Sequence, residues 1–249
     1  MKSRIISLVP SQTELLYHLG LEQEVVGITK FCVHPESWFR SKTRVGGTKQ
    51  LHLDTIRQLR PDLILANKEE NVKEQVETLA QEFPVYTSDV ADLAGALEMI
   101  RALGALTGKA AEAGLLAQEI EKRFLQLRRS VRPLPLRTAY LIWRQPYMTV
   151  GGDTFINNML RAAGLENLFG GRTRYPVTSV EELQALGCEL LLLSSEPYPF
   201  KEQHRIELQA LLPQARIELV DGELFSWYGS RLLLAPAYFG ELHQKITAQ

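Results

Sequence analysis

One half of this 249-residue chain nearly repeats the other. The stretch Leu53-Asp54-Thr55-Ile56-Arg57-Gln58-Leu59-Arg60-Pro61-Asp62-Leu63-Ile64-Leu65-Ala66 aligns without a gap on Val180-Glu181-Glu182-Leu183-Gln184-Ala185-Leu186-Gly187-Cys188-Glu189-Leu190-Leu191-Leu192-Leu193. Asp54 falls on Glu181, Ile56 on Leu183, Leu59 on Leu186 and Asp62 on Glu189. Each copy predicts a short helix, a tight turn, and a strand whose unbroken apolar run marks burial on both faces. A second echo pairs Gly20-Leu21-Glu22 with Gly164-Leu165-Glu166, each predicted to close a helix. Two copies of one α/β unit predict two similar lobes, and two lobes predict a cleft that takes a ligand.

Around the repeat, strands and helices alternate. Strands are predicted at 4–8, 25–28, 63–66 and 85–86, with helices at 11–20, 69–81 and 93–107. Ser11 and Glu14 have the spacing of a capping box. Residues 29–51 read as a long loop carrying Phe31, His34, Trp38 and Gly46-Gly47. A long helix over 110–129 places Leu115, Leu116, Ile120, Phe124 and Leu127 roughly along one face, and Pro133 and Pro135 end it. Beyond the prolines come strands at 139–143, 147–150 and 216–220 and a last helix over 230–245. The expectation is an α/β fold: an N-terminal lobe over 1–108, a bridging helix over 109–132 and a C-terminal lobe over 133–249, each lobe a parallel sheet flanked by helices.

Composition narrows the partners. A net charge of −1 gives no electrostatic reason to expect nucleic acid or an anionic membrane surface. No apolar run approaches the ~18 residues of a membrane span. Met1-Lys2-Ser3-Arg4 leads straight into Ile5-Ile6, too short an apolar stretch for a secretory signal, so the chain as written is expected in the cytoplasm; a chain trimmed of its leader would be periplasmic. Cys32 and Cys188 make no disulfide framework: Cys188 reads as a small buried hydrophobe at a strand entrance, and Cys32 lies in the predicted loop.

Enzyme signatures are missing. There is no phosphate-binding G-x-x-x-x-G-K-[ST], no G-x-G-x-x-G after a strand and no G-x-S-x-G elbow; Gly46-Gly47-Thr48-Lys49 only echoes a phosphate loop. His18, His34, His52, His204 and His243 show no metal-ligand spacing, so no bound metal or cofactor is expected, although His34 and His52 flank the predicted cleft loop. The aromatics tell more. In open α/β sheets ligands sit beyond the carboxyl ends of the strands. The segments there hold Phe31, Trp143, Tyr147, Tyr175, Phe225, Trp227 and Tyr228. Together they suit a wide, flat or macrocyclic ligand, because stacking gains area at little entropic cost. Asp54 and Glu181 stand in the first turns of their helices, where the dipole favours a carboxylate. The repeat puts them at equivalent points on two lobes, as a bidentate docking surface requires.

Three stretches, residues 4–15, 60–66 and 164–169, carry a resemblance. Arg4-Ile5-Ile6-Ser7-Leu8-Val9-Pro10-Ser11-Gln12-Thr13-Glu14-Leu15, Arg60-Pro61-Asp62-Leu63-Ile64-Leu65-Ala66 and Gly164-Leu165-Glu166-Asn167-Leu168-Phe169 resemble the class III substrate-binding proteins of ABC importers, cobalamin binders most of all. The resemblance implies two Rossmann-like lobes with parallel sheets joined by one long helix, and a monomer that holds a cobalt corrinoid without catalysis. It implies ligand contacts from Phe31, Tyr175, Phe225, Trp227 and Arg231. It also implies docking of Asp54 and Glu181 on permease arginines. Two departures stand out: residues 46–49 lack the tryptophan expected of a cobalamin binder, and Asp54 is one methylene shorter than the usual glutamate. Haem or a ferric siderophore is the alternative ligand. A chelatase-like enzyme acting on a metallated tetrapyrrole is the alternative class.

Overall fold

A computed structural model describes residues 3–248, which divide into two compact units. The first takes the chain as far as Val90, Ala94–Glu119 and Trp227–Arg231; the second takes Ala91–Leu93, Ile120–Ser226 and the chain from Leu232 onward. Trp227–Arg231 thus joins the first unit from deep within the 133–249 stretch.

The first unit is built from β1 (Ile5–Ser7), α1 (Pro10–His18), β2 (Val25–Ile28), α2 (Glu36–Ser41), β3 (Thr43–Arg44), α3 (Leu53–Leu59), β4 (Leu63–Asn67), α4 (Lys73–Ala80), β5 (Val85–Ser88) and most of α5 (Leu93–Leu106). Its five strands run parallel in the order β3-β2-β1-β4-β5. The order reverses between β1 and β4, so the carboxyl ends of these two strands frame the ligand crevice of such a sheet. Ile6, Leu8, Ile56, Ile64, Ala66 and Leu79 fill the core on one face. Helix α6 (Ala110–Ser130) starts in the first unit and ends in the second. Leu116, Ile120, Phe124 and Leu127 are buried along it, but Leu115 is exposed. At roughly 100° per residue Leu115 lies a quarter-turn off the stripe.

The second unit continues with β6 (Arg137–Leu141), β7 (Trp143–Arg144), β8 (Tyr147–Met148), α7 (Phe155–Ala162), β9 (Glu166–Asn167), β10 (Val177–Thr178), α8 (Val180–Ala185), β11 (Leu190–Ser194), α9 (Glu202–Leu211), β12 (Arg216–Val220), α10 (Gly222–Ser226) and α11 (Ala235–Thr247). Its main sheet is parallel, in the order β12-β11-β6-β9. The α/β class with two parallel sheets is the one the repeat predicts.

The repeat holds at the level of single hydrogen bonds. Asp62 accepts from the Arg4 amide at 2.8 Å, just ahead of β1, and Glu189 from the Arg137 amide at 2.9 Å, at the first residue of β6. The amides of Asp62 and Glu189 return bonds to the carbonyls of the same two arginines. After α3 and α8 the chain turns left-handed at aligned positions, Arg60 with φ 45° and Gly187 with φ 64°. A β-carbon costs about 1–2 kcal/mol in that region. A β-carbon on Gly187 would also stand 2.7 Å from the Arg137 guanidinium. Gly187→Ala is therefore expected to lower stability by about 1–2 kcal/mol, and Arg60→Gly to raise it by about 0.5 kcal/mol once the added chain entropy of glycine is subtracted. Urea unfolding of the two variants beside wild type checks the opposite signs.

Several local expectations are corrected. Helix α1 begins at Pro10, whose fixed φ suits a first helical position, so no Ser11–Glu14 capping box forms and Val9 caps without a side-chain bond. The 29–51 loop contains α2 and β3, both too short to show a period. Helix α4 starts at Lys73 because the Asn67 side chain accepts from the Glu69 and Glu70 amides and holds a turn there. The predicted 147–150 strand is a two-residue piece of a small antiparallel sheet, β10-β8-β7, an addition to the expected parallel pair. Among the described residues no helix is long and apolar enough to cross a membrane.

Candidate ligand-binding site

In the first unit, Phe31 follows β2 by three residues and is 49% exposed. Two features hold its ring. The Lys30 ammonium sits 5.2 Å from the ring centroid. Gly47 packs against it, where a β-carbon would stand 3.1 Å from ring carbon Cε2. Residues 46–51 form a tight reversal, with the Gly47 amide donating to Gln50 O at 2.7 Å and Lys30 N to Gly46 O at 2.8 Å. The Gly46-Gly47-Thr48-Lys49 stretch therefore packs its second glycine against an aromatic side chain.

The Trp227–Arg231 segment is anchored in the same unit. The Arg231 guanidinium stacks 4.8 Å from the Trp227 ring and grips the Glu14 carboxylate with bonds of 2.6 and 3.0 Å. His34 meets the Trp227 ring edge at 5.6 Å, and Tyr228 donates to Glu70 at 2.7 Å. Gly229 passes so close to Ser11 O that a β-carbon would stand 2.6 Å from it. Burial, with the Glu70 charge beside it, pushes the Tyr228 phenol well above its ordinary range. Trp227 is 6% exposed, so most of its surface is already in use. His52, ahead of α3, is exposed.

In the second unit the small antiparallel sheet gathers three predicted residues. Trp143 stands opposite Met148 and Arg144 opposite Tyr147, while Tyr175 lies two residues ahead of β10, which pairs with β8. Trp143 is 41% exposed; Tyr147 and Tyr175 are half-buried. Arg174, left-handed at φ 60°, stacks its guanidinium 5.8 Å from the Tyr175 ring. One residue escaped the sequence reading. Tyr198 meets Trp143 edge-on at 5.8 Å and packs on the unit's core. Its signal was present, since Pro197-Tyr198-Pro199-Phe200 directly follows the apolar run of β11, the same rule that selected the others. Arg144 joins this group and pairs with Glu207 at 2.7 Å.

Phe225 does not belong with them. It is fully buried, 4.7 Å from Phe239, 5.2 Å from Tyr140 and 6.3 Å from Tyr238, inside the core of the second unit. Both cysteines are free and buried. Cys32, placed in a loop by sequence, is packed against the Thr13 and Thr29 hydroxyls. Burial raises both thiols, Cys188 to about 11, so neither is a thiolate near neutral pH. Among the described residues no group of three or more His, Cys, Asp or Glu is arranged to hold a metal ion.

Asp54 and Glu181 occupy the first turns of α3 and α8. Asp54 is almost wholly solvent-exposed and pairs with Arg57 at 3.0 Å. Glu181 is exposed as well; the Ser179 hydroxyl and its own helix amide hold its carboxyl below the ordinary range.

Known proteins share this architecture. The family model described as Periplasmic binding protein matches residues 5–209. The vitamin B12-binding protein of Yersinia pestis (strain Pestoides F) is 28% identical over 194 residues, 77% of this chain and 69% of that protein. The crystal structure of the periplasmic vitamin B12-binding protein of Vibrio cholerae superposes with a TM-score of 0.78 at 22% identity, covering 98% of each chain. A periplasmic haem-binding protein in complex with two haems gives a TM-score of 0.82 at 21% identity, covering 100% of this chain and 99% of its own. With its two parallel α/β sheets and a family match across most of its length, the chain belongs to the periplasmic binding protein family, whose members are substrate-binding proteins.

Proposed function

We propose that this chain binds a corrinoid, cobalamin or cobinamide, without chemical change and delivers it to the permease of an ABC importer. The relationship to vitamin B12-binding proteins over 194 residues supports the choice of ligand. The observation that carries it is the chemistry of the two most exposed aromatics among the predicted ligand contacts. Phe31 and Trp143 are 49% and 41% exposed and carry no imidazole, phenol, thioether or thiol able to ligate a haem iron. A haem iron takes an axial His, Tyr, Met or Cys from its protein. A corrinoid brings its own axial ligands and asks for apolar surface, offered by Phe31 in the first unit and Trp143 in the second, and for hydrogen-bonding groups, offered by the Tyr147 and Tyr175 phenols. A phenol is also a group a haem iron takes, so haem is the competing ligand. Trp227 and Arg231 serve by fixing the segment that carries them. Each stacking ring supplies on the order of 1 kcal/mol. Phe31→Ala and Trp143→Ala are therefore each expected to weaken cobinamide binding about fivefold while leaving the urea midpoint unchanged. Titration calorimetry beside urea unfolding checks both; an unchanged affinity in both variants contradicts the placement.

Asp54 and Glu181 are proposed as the permease-docking carboxylates. They are exposed and placed alike by the repeat, so their removal is expected to cost little in folding. Asp54→Ala with Glu181→Ala should keep both the urea midpoint and the cobinamide affinity, and should lose only transfer of ligand to a permease. Loss of folding in either single variant contradicts a docking role.

A further inference from the structure

His204 lies at the start of α9 and is 5% exposed, with no part in the ligand contacts described above. Its Nδ1 accepts a 2.9 Å hydrogen bond from the Lys201 amide, one of the otherwise unpaired donors at this helix start. An accepting Nδ1 carries no proton, so the neutral ring holds its proton on Nε2. Nε2 faces the Tyr198 hydroxyl oxygen at 3.4 Å, which accepts a hydrogen bond from it, while the Gln203 side-chain nitrogen 3.3 Å away is a donor and adds no bond to the neutral ring. The imidazole meets the Phe200 ring edge-on at 5.7 Å and the Tyr198 ring at 5.5 Å, and Tyr198 in turn meets Trp143 at 5.8 Å. A continuous run of packed rings links His204 to the exposed indole.

We propose that His204, acting through Tyr198, is the positioning residue for the Trp143 ring, so that a neutral imidazole holds the indole ready for ligand and a protonated one releases it. The second half rests on the reading of Trp143 as a ligand contact. Protonation puts a hydrogen on Nδ1, opposite the hydrogen of the Lys201 amide. Two donors cannot share that bond, and the ring must turn out of its contacts with Tyr198 and Phe200. The surrounding charges are Arg144 from β7 and, on or beside α9, Lys201 and Glu207; Glu202 and Arg205 pair with each other on the same helix. Desolvation first, then the Arg144 and Lys201 charges, lower the His204 pKa below its ordinary value, and Glu207 opposes them in part. With the folded value depressed, the neutral arrangement is intact above the ordinary histidine range and is lost as pH falls through the folded pKa.

The test follows the Trp143 indole N–H resonance, assigned by its absence in Trp143→Phe, and the His204 ring resonances as pH falls. Cobinamide affinity is measured over the same range. The indole of the ligand-free protein should shift with the His204 midpoint, below the ordinary histidine value. His204→Asn, which keeps an acceptor near the Lys201 amide but does not titrate, should abolish the shift. Tyr198→Phe, which keeps the ring and removes the hydroxyl, should weaken it. Affinity should fall by about threefold to tenfold across the midpoint in wild type, the range an edge-to-face contact commands, and stay level in His204→Asn. An indole shift that persists in His204→Asn, or no shift in wild type, overturns the proposal. A coupled shift with an unchanged affinity supports the positioning role and overturns Trp143 as a ligand contact.

Discussion

Phe225→Ala is expected to destabilise the second unit by about 3–5 kcal/mol, the cost of deleting a fully buried aromatic ring. Helix α10 carries Phe225 inward, where Phe239, Tyr140 and Tyr238 surround it. The Tyr140 hydroxyl donates to Ser194 Oγ at 3.0 Å at the end of β11, so the cluster joins α10, α11, β6 and β11. A cavity here removes packing from four elements at once, and the close-packed surroundings relax into it only in part. Urea unfolding followed by circular dichroism measures the loss. A drop below about 1 kcal/mol, together with weakened ligand binding, would return Phe225 to the binding site from which its burial excludes it.

Arg231→Met is expected to cost about 1–3 kcal/mol, through the charge it leaves behind. Glu14 and Arg231 are 217 residues apart in the chain and both are largely shielded from water. Their bidentate bond seats the Trp227–Arg231 segment on α1, and the guanidinium also covers the Trp227 ring. Without Arg231 the Glu14 carboxylate stays half-buried and unpaired, which costs more than the pair itself contributes. The Glu14→Met and Arg231→Met double variant should therefore be more stable than Arg231→Met alone. Urea midpoints of the three variants decide; a double variant that loses the sum of the single losses would show that the two residues act independently.

The sequence made the large elements legible because their burial is written in unbroken apolar runs: Leu63 to Ala66 and Leu190 to Leu193 lie in interior strands of the two sheets, buried along their whole length. The repeat located the helix ends too, since Gly20 and Gly164 both turn left-handed, with φ of 73° and 77°. Shorter pieces were invisible. Two-residue strands such as β7 and β8 have no period to detect, and their pairing is decided by the chain on either side. The role of Glu14 was missed because its partner lies at the other end of the chain. Phe225 and Trp227 are two residues apart with similar chemistry, yet one fills the core of the second unit and the other is held in the first. Composition at the carboxyl end of a strand selects aromatics as a group, but only tertiary packing separates those that present a face from those that fill a core.

Titration calorimetry of the purified protein with cobinamide, haem and a ferric siderophore side by side tests most directly whether the ligand is a corrinoid. Cobinamide is expected to bind with a Kd of roughly 1 μM or tighter, about −8 kcal/mol, with little or no heat from the other two. Binding of haem or the siderophore alone would contradict the corrinoid assignment while keeping the chain a substrate-binding protein, and turnover of a porphyrin with no binding of cobinamide would contradict the account as a whole.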